Sequence, residues 1–209
     1  MRKDRLSGVI GLGALAIIAL GATPAASQAS NQAEEPPPPA STGEPLTTFS
    51  VAMPVIEQEF IGLIRRYAAI YQAGDNDLVK GQARPARARA ICKLFRSTNQ
   101  HQVPWVGEVT DMSSTSKGAA ILTIKIADGI TISTTNNEFS DALGDKTLLQ
   151  PGTNVYAQAA SLHVGQTVLF NGLFLLSEDD CFQERSLTQE GSMTEPDWAM
   201  RFQQLRPVD

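Results

Sequence analysis

The chain has 209 residues, a formal net charge of −5, two cysteines and two histidines. An acidic balance is a poor match for non-specific nucleic-acid binding, which works by neutralising phosphates. Cys92, Cys181, His101 and His163 make neither a C-x-x-C nor an H-x-x-x-H spacing, which excludes the common zinc motifs.

The first predicted element is an export signal. "MRKDRLSGVIGLGALAIIALGATPAASQA" opens with Arg2, Lys3 and Arg5, runs apolar from Leu6 to Leu20, and ends in small residues, with Ser27-Gln28-Ala29 as a small-x-small cleavage site. The alternative is an uncleaved anchor, but the run is shorter than the roughly 20 residues a spanning helix needs. No cysteine closes the run, so lipid attachment at that point is not available. Residues 1–29 are therefore expected to leave a soluble, periplasmic or secreted chain that begins near Ser30 and has no transmembrane segment. Residues 30–50, "SNQAEEPPPPASTGEPLTTFS", carry six Pro or Gly and few bulky apolar side chains, and are expected to be a disordered tether.

Charge divides the chain beyond the tether. Residues 51–96 hold eight lysines and arginines against four acids, whereas residues 97–209 hold six against fourteen. Two parts of opposite sign attract. The basic part reads as a two-helix segment: Ile56, Phe60, Leu63, Tyr67 and Ile70 recur at helical spacing, Gly74-Asp75-Asn76 stops the first helix, and a second covers about Asp77 to Leu94 with Pro85 kinking or splitting it. Arg84, Arg87 and Arg89 form a candidate anion strip, since guanidinium suits phosphate and carboxylate. The competing reading is a charged face turned to solvent or to the rest of the chain. Asp75-Asn76-Asp77 lacks the later Gly and Glu of a calcium loop.

Beyond Val103 the period changes from 3.6 to 2. "WVGEVTDM" alternates, and "AAILTIKIADGITISTT" places Leu122, Ile124 and Ile126 on one face, with Asp128-Gly129 as a type I′ hairpin turn. A polar loop and a small amphipathic stretch, "NVYAQAASL", lead to "GQTVLFNG", a strand opened by Gly165 and broken by Gly172 where it bends. "AMRFQQLRP" is the last alternating run. Five strands with a helix between the third and fourth predict a mainly β, OB-fold-like barrel over residues 97–209, preceded by the two helices.

"WVGEV", "ILTIKIADGITISTT" and "LHVGQTVLFNGLF" resemble the W-x-G-x-V, hairpin and G-x-x-V-x-F-x-G pattern of OB-like, tRNA-anticodon-binding-like domains in uncharacterised bacterial envelope proteins. The resemblance spans residues 103–206 and implies an exported module. Its motifs are structural and imply no catalytic residue.

Chemistry-bearing motifs are sparse. Ser186 and Ser192 lack a G-x-S-x-G elbow, "SEDD" with Glu184 reads as a solvated acidic loop, and His163 as a capping or surface residue. No enzyme and no cofactor or metal site is expected. An OB barrel binds across its second and third strands, where alternation sets Thr123, Lys125, Thr131, Ser133 and Thr135 outside. That hydroxyl-rich face lacks the aromatics on which nucleic-acid bases stack; it suits an envelope protein, a glycan or a small polar ligand, or is an ordinary solvated sheet. A periplasmic nucleic-acid binder using the arginines is the runner-up, and an enzyme of unrecognised type the third. Finally, an even cysteine count in an exported chain predicts a Cys92–Cys181 disulfide; the alternative is two buried thiols.

Overall fold

The computed structural model describes residues 52–96 and 104–208. The signal segment, the tether and His101 lie outside the described residues.

Helix α1 (Val55–Gln72) and helix α2 (Asp77–Arg96) form a hairpin, with Asn76 closing the connection by accepting from the Leu78 and Val79 N–H groups. Pro85 neither splits nor ends α2, which runs continuously through it. The buried face of α1 differs from the expected stripe. Glu57, Phe60, Ile61 and Ile64 turn inward, Ile56, Leu63 and Tyr67 are half-buried, and Ile70 is exposed. The helix is apolar on more than one side, so periodicity alone could not say which stripe meets the barrel.

The strands are β1 (Trp105–Ser114), β2 (Ala120–Ala127) and β3 (Ile130–Ser133). A single turn α3 (Glu138–Ser140), a kinked turn over Asp141–Asp145 and helix α4 (Asn154–Ala160) lead to β4 (Thr167–Phe174). The two-residue strands β5 (Leu176–Ser177) and β6 (Cys181–Phe182) and helix α5 (Gln189–Thr194) precede β7 (Asp197–Pro207). Five strands close in the order β1-β2-β3-β7-β4, with β3 parallel to β7 and every other pair antiparallel. This is the expected OB-like barrel, with α4 between its third and fourth strands.

Side chains follow the pleat. Leu122, Ile124 and Ile126 of β2, Ile130 and Ile132 of β3, and Val168 and Phe170 of β4 are buried, while their neighbours face outward. The Asp128-Gly129 turn is present but not as type I′. Only Gly129 takes positive φ (73°), and a register shift between Lys125 and Ala127 absorbs the difference. Gly172 does not end its strand: β4 bulges between Asn171 and Gly172 and continues to Phe174. The bulge bends the strand, and the Gly172 Cα sits so close to the Arg201 carbonyl and Met200 that no Cβ fits there.

One core joins helices and barrel. Phe60 of α1 packs on Trp105 (5.3 Å between ring centroids), Trp198 (5.4 Å) and Phe174 (5.7 Å), and Phe95 of α2 on Phe182 (4.8 Å). Edge-to-face and tilted pairs of this kind add to the burial of large apolar area. Cys92 of α2 and Cys181 of β6 stand at bonding distance, S–S 2.07 Å and Cα–Cα 5.5 Å, closing a separation of 89 residues.

Candidate binding face of the barrel

Pairing register lines up the outward side chains. Glu108, Lys125, Thr131 and Asp197 occupy one cross-strand row over β1, β2, β3 and β7. In-register neighbours on one face interact, and Lys125 Nζ lies 3.2 Å from Glu108. Thr131 donates to Asp197 at 3.0 Å, and Ser133 donates to the same carboxylate at 2.7 Å.

The five hydroxyl and lysine positions read from alternation are therefore not equivalent. Thr123, Lys125 and Thr131 are half-exposed, whereas Ser133 and Thr135 are buried. Arg185, from the connection between β4 and β7, reaches over Ser133 to the Thr134 carbonyl and, at 3.1 Å, to Asp197. Thr135 is paired with Thr147 at 2.8 Å. The β3 end of the face is thus closed by this chain's own groups, and the open part is the β1–β2 side around Lys125.

At the Ala120 end of β2, Leu149 bridges to Ala120, and a groove of about 470 Å³ with Ala119, Ala142 and Leu148 in its lining opens beside it. Lys117, Glu138, Asp141 and Lys146 line it as well. Lys117 comes from the β1–β2 loop and pairs with Glu138 at 2.7 Å. The contact lowers the Glu138 carboxyl below its ordinary range and raises Lys117, through the shared hydrogen bond. Arg201 fastens the Asp141–Asp145 turn by donating to the Asp145 and Gly144 carbonyls. Phe139 and Leu143, each 73 % exposed, stand on the same segment.

The arginines do not form a strip. Arg84 forks onto Asp180, and Arg87 reaches the same carboxylate at 3.2 Å while donating to the Ser192 carbonyl and lying 5.0 Å from the Trp198 ring centroid. Arg89 is exposed and apart from both. The anion for this pair is the chain's own Asp180, from the acidic stretch that the sequence reads as solvated; it is buried in the structure. Burial pushes the Arg87 guanidinium below its usual range, against the pull of Asp180, while the Asp180 hydrogen bond raises Arg84.

Glu57 went unnoticed in the sequence. It is fully buried, its Oε2 accepts from the Val106 N–H at 2.9 Å, and its Oε1 has no hydrogen-bond partner among the described residues. Desolvation pushes its pKa up to about 8, partly offset by the Val106 hydrogen bond. The only sequence signal was its spacing from Phe60, Ile61 and Ile64. His163 is exposed, its backbone N–H donating to Gln166. Among the described residues no group of three or more His, Cys, Asp or Glu is placed to hold a metal ion, and no helix is long and apolar enough to cross a membrane.

No family model, no curated protein and no solved structure matches this chain.

Proposed function

We propose that the protein is an exported, non-catalytic OB-type interaction module that binds an envelope protein, a glycan or a small polar ligand on the β1–β2 side of its barrel. The observation that carries this reading is the half-exposed β2 face around Lys125, with a groove lined by Lys117, Glu138 and Asp141 at the Ala120 end of the same strand. Loop and second strand together are where OB barrels take their ligands. The cross-strand row is built of three charged groups and one hydroxyl, which favours a partner recognised by hydrogen bonds, and exposed Phe139 and Leu143 add two apolar anchors on the segment beside the groove. Export accords with the Cys92–Cys181 pair, since bridges persist in oxidising compartments. The nucleic-acid reading is weaker, because Arg84 and Arg87 are occupied by Asp180.

The test is capture from an envelope extract, and on a glycan array, by the immobilised exported chain. Lys125→Glu and Phe139→Ser alter exposed or half-exposed side chains and should leave the fold intact. The reading expects a specific ligand whose retention falls at least about tenfold, roughly 1.4 kcal/mol, with either substitution. A ligand retained equally by both variants would place binding elsewhere.

A further inference from the structure

The outer side of the helix hairpin carries a second surface that the barrel does not use. Between α1 and α2 runs a mostly apolar groove of about 540 Å³, lined by Gly62, Leu63, Arg66, Ala90 and Lys93, with Glu59 at one end. Ile70, 43 % exposed, extends the α1 wall at helical spacing from Leu63 and Arg66. Of these, Leu63 and Ile70 belong to the apolar stripe read from the sequence; Leu63 is half-buried and Ile70 exposed. From Glu59 to Ile70 the wall covers about 16 Å, three turns of helix.

Two further observations say what fits there. The first is Gly62. Glycine is the least favourable helix residue after proline, yet a Cβ at this position would meet nothing within 4 Å and φ is not positive. The fold does not require it. Its effect is to leave the groove floor bare, opposite the small Ala90, where another backbone can approach. The second is charge. Arg66 and Lys93 line the rim, and Arg89 and Arg96, both exposed, lie one turn on either side of Lys93. None of these four is in an ion pair among the described residues, although Arg66 lies over the Tyr67 ring.

We infer that this groove docks an acidic amphipathic α-helix of a partner protein, laid along α1 and α2 as a third helix. Side-chain ridges of an incoming helix seat in the channel between two antiparallel helices, its apolar face covers Leu63 and Ile70, and its flanking carboxylates meet Arg66, Lys93, Arg89 and Arg96. A second copy docked groove to groove is a poor occupant, because it would bring the same basic rim against itself. A concave channel also disfavours a flat anionic membrane surface, to which basic residues alone would bind. The site is separate from the barrel face.

The probe is a fluorescein-labelled peptide of about 14 residues, with Leu at i, i+3, i+4 and i+7 and Glu on both flanks, and the same peptide with Lys for Glu. Anisotropy is read with the exported chain. The Glu peptide should bind, gain helicity by circular dichroism, and weaken steeply as salt rises from about 0.05 to 0.3 M; the Lys peptide should not bind. Arg66→Glu with Lys93→Glu should weaken binding by at least about tenfold. Gly62→Leu should do the same while the melting temperature holds or rises, separating a filled groove from a damaged fold. Lys125→Glu should leave peptide binding unchanged, so failure here is distinguishable from failure at the barrel face. Equal binding of the two peptides, insensitivity to Gly62→Leu, or binding of phosphatidylglycerol vesicles but not of the Glu peptide would overturn the inference.

Discussion

Glu57 and Gly172 each show one side chain, or its absence, acting through its immediate surroundings. The unfolded Glu57 carboxyl ionises near 4.5 and the folded one near 8. The native state therefore holds the proton more tightly than the unfolded chain. The stability this contributes is complete below about pH 4.5 and is lost as pH climbs through 8. The loss across that window is on the order of 5 kcal/mol. Glu57→Gln keeps an acceptor for the Val106 N–H and removes the titration, so urea denaturation should show the variant gaining on the wild type from pH 4.5 to 8. Parallel stability curves would show that the carboxyl is not desolvated. At Gly172 the matter is steric: an added Cβ strikes the Arg201 carbonyl and lies 2.8 Å from Met200 Cγ. Gly172→Ala should cost about 1–3 kcal/mol in the same assay. Gly62→Ala, entering open space, should be neutral or stabilise by up to about 1 kcal/mol.

At the scale of elements, the connection from β4 to β7 is fastened to α2 rather than left as a free loop. The Cys92–Cys181 bridge, the Arg84 and Arg87 contacts to Asp180, and the Phe95–Phe182 ring pair all join the same two pieces. Cys181 is one of two non-glycine residues with positive φ among the described residues, at 70°. An L-residue in that region costs roughly 1–2 kcal/mol. Removing a cross-link that spans 89 residues should cost up to about 4–5 kcal/mol in the chain-entropy account. The substitutions are expected to differ: Cys92→Ala with Cys181→Gly should retain about 1 kcal/mol more stability than Cys92→Ala with Cys181→Ala. Equal melting temperatures for the two pairs would mean that residue 181 relaxes once the bridge is gone.

For the molecule as a whole, helices and barrel carry opposite net charge, but apolar packing holds them together. Of the eight basic residues between 51 and 96, Arg84 and Arg87 alone meet a barrel-side carboxylate within ion-pair distance among the described residues. Phe60, by contrast, is fully buried against Trp105, Phe174 and Trp198. At about 25 cal/mol per Å², burying aromatic area of this size stabilises outright, whereas the buried Arg84–Asp180–Arg87 cluster loses much of its attraction to the desolvation of its charges. A chain beginning at residue 97 should therefore lose cooperative unfolding and bind a hydrophobic dye through its uncovered aromatics. Full stability of that shortened chain would overturn this account.

Local pattern was enough for the β elements, because a two-residue period and a change to it are written in consecutive positions. Leu122-Ile124-Ile126, the Asp128-Gly129 turn and the spacing of the later strands identified the barrel, and the even cysteine count pointed to the Cys92–Cys181 pair. Which of two apolar stripes on α1 faces inward was not determined, since both satisfy the helical period; only the aromatic surface of Trp105, Phe174 and Trp198 selects Phe60, Ile61 and Ile64, carrying Glu57 in with them. Asp180 in "SEDD" is likewise indistinguishable from its solvated neighbours until the chain brings Arg84 and Arg87 to it from 96 and 93 residues away. The short strands β5 and β6 and helix α5 have too few residues to show a period, and they exist because α2 and the barrel supply surfaces for them. Tertiary contact decided these points because a polar group's partner, unlike its element's period, is a property of distant residues.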